Sequence, residues 1–329
     1  MPETMAALNR GEFELVEMSR ENAAQILALI NEIQPHIPWS TDYLGWQFFS
    51  NPVGAAKIYA IVHGPRIVSL YAAVAQRIRV GDEIVSAQLV QDVMTLPAYR
   101  NRGLLHWLGA RCAEDLDRAG VIGLTFPNKL SENSFRRNGW TELCRVPLRE
   151  VNVERSAPDA RRGLTEGNDI LEEIDESYDG RVAHVWQDSG NVIGIERDTD
   201  YLNWRYSKPG QEYRRFVIDG GRGFLVVKPY VDGNRSVLHI CDLVVCGSAR
   251  KLITPVLAAC RSLARAVGAD GISAWVDPRH PYASDYDGID LRIVTKHDRT
   301  VFVRTPKRLA RLVTDPGVWH LSQGDSDVY

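Results

Sequence analysis

The sequence predicts an α/β protein of two similar domains, each a mixed, mostly antiparallel sheet flanked by helices. Three observations carry this. The octamer Thr41-Asp42-Tyr43-Leu44-Gly45-Trp46-Gln47-Phe48 returns as Thr199-Asp200-Tyr201-Leu202-Asn203-Trp204-Arg205-Tyr206. After each copy the chain runs through the same order of strand, glycine turn, strand, turn, strand, helix and strand. At 329 residues, 44% hydrophobic and 25% charged, the chain exceeds one typical domain and can fill two cores.

In the first half the alternating stretches 58–62, 67–75 and 84–95 read as strands. They are separated by His63-Gly64-Pro65 and Val80-Gly81-Asp82. A helix follows from Gly103 to Gly120, apolar at Leu104, Leu105, Leu108 and Cys112, and then a strand over 123–126. In the second half the strands fall at 215–218, 224–230 and 237–245, with turns Asp219-Gly220-Gly221 and Asp232-Gly233-Asn234. A helix over 252–267 and a strand over 271–276 complete it. Asp42 and Asp200 are expected to cap the helices of the repeated octamer, and Trp46 and Trp204 to pack in their own cores. The expected boundaries are 1–150 for the first domain, 151–168 for a linker containing the polar stretch from Glu154 to Asn168, and 169–329 for the second.

The run from Gln91 to Leu105 joins a half-buried strand to a helix through a turn suited to a pyrophosphate. A helix start presents unpaired N–H groups and partial positive charge, so phosphate oxygens are favoured there. Arg100 and Arg102 add permanent charge, and Gly103 lets a ligand come close to the backbone.

This run resembles the acyl-CoA-binding motif of the GNAT acetyltransferase superfamily, Arg/Gln-x-x-Gly-x-Gly/Ala: Arg100 and Gly103 match, and Leu105 departs from the usual small residue. Asn128, Ser131, Phe135, Gly139 and Trp140 keep the spacing of a second element of that family, Asn-x-x-Ala/Ser-x-x-x-Tyr-x-x-x-Gly-Phe. With the repeat, the resemblance is to the tandem-domain type.

The resemblance implies an N-acyltransferase that moves an acyl group from acyl-CoA, either acetyl-CoA or a longer one, to the amine of a small molecule. A nucleotide-linked amino sugar is slightly preferred as acceptor, with aminoglycosides and thiol precursors open. By the same resemblance Val93, Met94 and Thr95 would line pantetheine, a backbone N–H near Met94 would contact the thioester carbonyl, and Asn128 would touch the cofactor arm. Arg100, Asn101, Arg102, Gly103, Leu104 and Leu105 would form the pyrophosphate turn, with Ser131 and Phe135 close to the cofactor. Asp92 stands where the family places an acid that takes the amine proton. Its free pKa of about 3.9 would need raising for that task, and a strand-end carboxylate paired to an arginine is the other reading. Phe135 stands where many relatives carry a tyrosine that protonates the departing thiolate. Ser131, a water, Tyr282 or Tyr286 are the candidates to replace it. His36, His239 and Asp242 are candidates for acceptor binding. His239 and Asp242 are expected on opposite faces of one strand. A chain that binds acyl-CoA as a sensor or partner subunit without turnover is the alternative, which Phe135 permits.

The halves are not equivalent. Counting from Gln91-Asp92 against Cys241-Asp242 sets Arg250 opposite Arg100 but Ile253 opposite Gly103, and a β-branched side chain there would crowd a pyrophosphate. The second domain is therefore expected to have lost acyl-CoA binding and to shape the acceptor site. A piece ending near Arg155 is expected to keep acyl-CoA binding and lose acyl transfer if it stays soluble, exposure of apolar interdomain surface and aggregation being the other outcome. The net charge of −3 supplies no basic footprint for nucleic acid, and no apolar run is long enough for a membrane span. Cys112, Cys144, Cys241, Cys246 and Cys260 are odd in number and lack metal-type spacing, which points to reduced core thiols, no metal and the cytoplasm. Both a monomer and a homodimer fit.

Overall fold

Alternation of apolar and polar residues is converted into strands at each position expected, and these strands join one sheet. The computed structural model describes residues 11–154, 170–175 and 177–326, apart from the side chains of Asp232, Thr295, Lys296 and His297. Most of the expected linker, from 155 onward, lies outside them.

The first half runs β1 Glu14–Met18, α1 Ala23–Ile33, α2 Thr41–Phe49, β2 Lys57–His63, β3 Arg66–Val80, β4 Glu83–Thr95, α3 Leu104–Ala119, β5 Ile122–Thr125, α4 Glu132–Arg137 and β6 Thr141–Asn152. The second runs β7 Leu171–Ile174, α5 Val185–Asp188, β8 Ile193–Ile195, α6 Thr199–Arg205, β9 Arg214–Ile218, β10 Gly223–Asp232, β11 Arg235–Val245, α7 Ile253–Ala266, β12 Gly271–Trp275, α8 Ala283–Gly288 and β13 Arg292–Arg304. The strands β2, β3 and β4 form an antiparallel meander, as do β9, β10 and β11, and each meander ends in a parallel pair, β4 with β5 and β11 with β12. A parallel pair needs a crossover, which α3 and α7 supply.

The halves exchange their last strands. Across the sheet the order is β1-β2-β3-β4-β5-β13-β6-β12-β11-β10-β9-β7. β13, from the end of the second half, therefore lies beside β5 of the first, while β6 of the first lies beside β12 of the second. The two exchanged strands also pair with each other. The exchange carries Phe302 into the first-half core, where it stacks on Phe135 with ring centroids 6.4 Å apart.

The repeated helices meet at the centre. Trp46 of α2 and Trp204 of α6 stack 5.1 Å apart, with planes 19° from parallel. Each indole N–H donates to the other residue's carbonyl, at 2.7 and 3.1 Å. The two tryptophans thus pair across the halves instead of packing in separate cores. The caps also differ from expectation. Ser40 and Asp198, one residue before each helix, accept from the N–H groups of Tyr43 and Tyr201, which leaves Asp42 and Asp200 in the first turns. All five cysteines are buried and unbridged.

Candidate active site

The strand β4 sets up the site by bulging. Its pairing with β3 steps from Ala72↔Gln91 to Leu70↔Met94, so Asp92 and Val93 face a single residue of β3, and Asp92 adopts a left-handed backbone with φ 52°. Gln91 and Asp92 then both lie on the side of α2. Gln47 Nε2 of α2 donates to Asp92 Oδ2 at 3.2 Å, and Gln91 lines a small interdomain cavity of about 20 Å³ with Trp46, Gln47, Asp325 and Ser326. On its other edge β4 pairs with β5 only as far as Val90↔Thr125, while it continues beside β3 to Thr95. Residues 91–95 therefore have no strand neighbour on that edge.

A cavity of about 250 Å³ opens in this splay, lined by residues 89–94 and 125–128 together with Gln34, Ser131, Phe135 and Arg299. Of the expected cofactor residues, Val93, Met94, Asn128, Ser131 and Phe135 line it, as does Asp92. Thr95 sits at its end with its hydroxyl 2.7 Å from Ser69 Oγ. Asn128 caps the turn into α4, its Oδ1 accepting from the N–H groups of Leu130 and Ser131 at 3.0 and 3.1 Å.

The turn between β4 and α3 is shaped by Asn101 at φ 60° and Gly103 at φ 76°. Gly103 is the residue before α3, and the first-turn N–H groups of that helix have no partner within it. Arg100 and Arg102 are exposed. The Arg100 Nε donates to the Thr95 carbonyl at 3.2 Å, and the Arg102 guanidinium lies 5.3 Å from the Tyr99 ring centroid. The open edge of β4 presents backbone groups without a strand partner, and the helix start with its two guanidinium groups presents positive charge.

The second half repeats the splay and fills it. β11 bulges against β10 at Cys241, so that Val226↔Asp242 is followed by Val227↔Ile240. The bulge cancels the odd spacing and turns His239 and Asp242 to the same face, contrary to the sequence expectation. Asp242 is bound by Arg197 Nε at 2.7 Å, Tyr206 at 3.1 Å and His320 at 3.4 Å, and Arg197 also holds Asp325. Ser273 Oγ, 2.6 Å from His239 Nδ1, accepts from Gln323 Nε2. His320, Ser322, Gln323 and Asp325 thus occupy the splay, leaving about 20 Å³ among Tyr282, Tyr286 and their neighbours. His239 and Asp242 do not line the first-half cavity, and neither do Tyr282 and Tyr286. Burial holds the His239 ring down to about 4, helped by nearby Lys228. The residue opposite Arg100 is also engaged, Arg250 being bound to Asp285 and to the carbonyl of Pro281. Ile253 opens α7 fully buried, after a right-handed Leu252 where the first half has left-handed Gly103. At the same turn the ligand atoms of His184, Asp188 and Cys246 lie within 4.8 Å of one another, a grouping that cysteine spacing did not signal.

Burial opposes the charge of Asp242, but the Arg197 guanidinium and the hydrogen bond from His320 outweigh it and hold the carboxyl at about 2. Its stabilising contribution is present above the ordinary aspartate value of about 3.9 and is lost as pH falls through about 2. Asp242→Asn is expected to destabilise the fold by about 1–3 kcal/mol at neutral pH, because Arg197 keeps Asp325 but the charge-assisted bonds that Arg197, Tyr206 and His320 make to this carboxylate are weakened. Denaturant midpoints should show that the difference from wild type narrows as pH drops below 4.

His36 is exposed on the loop after α1 and does not line the cavity; Gln34, two residues earlier, does. The loop was legible in the sequence, but which of its residues faces inward was not. Arg299 left no sequence signal at all, because strand exchange alone brings β13 to this cleft. Among the described residues no helix is long and apolar enough to cross a membrane.

Comparison with known proteins agrees with this geometry. Residues 18–142 match the acetyltransferase (GNAT) domain family. No curated protein matches the chain. Among solved structures, a probable N-acyltransferase from Enterococcus faecalis V583 superposes with a TM-score of 0.64 at 12% identity, over 89% of this chain and 72% of that one. A GCN5-related N-acetyltransferase from Anabaena variabilis gives 0.63 at 13%, over 89% and 72%. Eis1 from Mycobacterium abscessus gives 0.60 at 13%, over 92% and 75%. At such identities the likeness is one of fold. It extends beyond the matched domain to most of the chain. Residues 18–142 are an acetyltransferase (GNAT) domain.

Proposed function

We propose that the protein transfers an acyl group from acyl-CoA, bound in the β4–β5 splay, to the amine of a small molecule that approaches from the α2 side. The observation that carries this reading is the 250 Å³ cavity, which runs along the unpaired edge of β4 past Asp92. Residues 1–150 supply the cofactor site in this reading, and residues 169–329 close the acceptor side. Filling of the second splay by residues 320–325 supports that division. The preference for a nucleotide-linked amino sugar loses its ground, because Tyr201 and Arg205 of α6 are buried and Trp204 is stacked on Trp46, so the proposed acceptor is a small-molecule amine. The cytoplasm is the proposed compartment, given five unbridged cysteines.

In this reading the backbone of residues 93–95 pairs with the pantetheine amides, and the Met94 N–H stabilises the charge that develops on the thioester oxygen. Asp92, held by Gln47, takes the proton of the attacking amine. Among the described residues no phenol lines the cavity. Tyr71, the phenol packed on Phe135 at 6.0 Å between centroids, is fully buried behind it. Water reaching Ser131 is then the proton source for the thiolate, or the thiolate leaves unaided, which its pKa of about 8.5 permits.

Asp92→Asn is expected to lower kcat/KM by about a hundred- to ten-thousand-fold while acyl-CoA affinity holds. A thiol-release assay over a panel of amines, with isothermal titration of CoA, checks both. A mutant with the wild-type pH–rate profile would remove Asp92 from the mechanism. Tight CoA binding with no thiol released from any amine would instead favour the sensor.

A further inference from the structure

One charge in the cavity has no place in the cofactor-binding motifs. Arg299 belongs to β13, the strand contributed by the second half, and it lines the splay while only half-buried. Thr300, its neighbour, donates to Glu132 of α4 at 3.0 Å, and Phe302 stacks on Phe135 of the same helix. Successive side chains on a strand point to opposite faces, so Arg299 projects from the face opposite α4. That face carries α2, Gln47 and Asp92. The pyrophosphate turn feeds α3, which lies against α4: a Cβ on Gly109 of α3 would come within 2.2 Å of Asn138 just past α4. Arg299 is therefore on the acceptor side of the sheet, away from the helix face that receives the cofactor phosphates.

The carboxylates on the α4 face are engaged elsewhere. Asp298 pairs with Arg145 at 3.5 Å, and Glu132 is engaged by Thr300. Among the described residues Arg299 itself has no ion pair. A guanidinium is charged at every accessible pH and presents a planar fork that fits carboxylate and phosphate oxygens. Placed in one cavity with the carboxylate of Asp92, it makes a site with a cationic and an anionic wall.

We infer that Arg299 binds an oxyanion, a carboxylate or phosphate, carried by one of the two reacting molecules close to the transfer point. The acceptor arrangement is an amine directed to Asp92 with its acidic group on Arg299; the donor arrangement is an acyl chain ending in a carboxylate. The inference rests on the acyltransferase reading above and narrows its substrate class.

The test uses the full chain, wild type, Arg299→Gln and Arg299→Lys, with thiol release as readout. The acceptor arm compares ethanolamine with phosphoethanolamine, and propylamine with β-alanine, all with acetyl-CoA. The donor arm compares acetyl-CoA with succinyl-CoA on the best amine. Wild type should prefer the anionic member in one arm, and that arm names the source of the oxyanion. Arg299→Gln should lower the anionic-to-neutral ratio of kcat/KM about 10- to 100-fold, mainly through KM, and Arg299→Lys should restore part of it. Equal losses on anionic and neutral substrates, or no preference by wild type in either arm, would overturn the inference. If wild type releases no thiol from any pair, the acyltransferase reading fails separately. Calorimetry of phosphoethanolamine and ethanolamine on the CoA-loaded protein then decides Arg299, and equal affinities for the two amines, or no binding of either, overturn it.

Discussion

Gly103→Ile is expected to abolish acyl-CoA binding while leaving the sheet folded. Two effects add. At φ 76° a β-branched residue is strained, so the turn must rebuild, and the new side chain stands where the first N–H groups of α3 face the ligand. The second half has no such turn: the residue before its helix is the right-handed Leu252, and the buried Ile253, which the sequence set opposite Gly103, opens the helix itself. Titration calorimetry should show at least about a hundredfold loss of affinity, the scale of losing several charge-assisted hydrogen bonds. Circular dichroism should keep its wild-type form. Arg250→Ala, whose guanidinium already serves Asp285, should leave CoA affinity close to wild type. Equal losses in both mutants would contradict the division of labour between the halves.

A chain ending at Arg155 is expected to be insoluble or unable to bind acyl-CoA. The sequence by itself suggested the opposite, since both cofactor motifs precede that point. The exchanged strands change the expectation. Removing the second half strips β13 from the edge of β5, removes Phe302 from beside Phe135, and leaves β6 without either of its partners. The first-half core loses a fully buried aromatic, worth about 3–5 kcal/mol, and three strand edges, one of β5 and both of β6, are exposed to aggregation. Gel filtration and CoA titration of the truncated chain check this. A soluble monomer with wild-type CoA affinity would mean that β6 can fold back to take the place of β13.

The placement of Asp92, Arg100, Gly103, Asn128 and Phe135 along a strand, a turn and two helix starts was legible because it depends on neighbours close along the chain. A strand, a turn and a helix start are local structures, and glycine at a left-handed position is a local requirement. The repeat was legible for the same reason, as two copies of one pattern. Asp92 and Asp242 share that pattern, and the β-bulge at each is a feature of pairing with β3 or β10, which alternation within one strand cannot show. His239 and Asp242 were accordingly placed on the wrong relative faces.

The sequence by itself determined the repeated strands and helices, their order, the α/β class and the glycine turn before α3, because backbone hydrogen bonding and side-chain periodicity act over a few residues. The tertiary structure alone decided which strands lie side by side. It set β13 next to β5, Trp46 on Trp204, residues 320–325 in the second splay and Arg299 in the first. Those contacts join residues more than a hundred positions apart or close a cleft with a distant segment. Their energy comes from burying apolar surface and pairing strand edges, and neither leaves a mark in the local pattern of either partner.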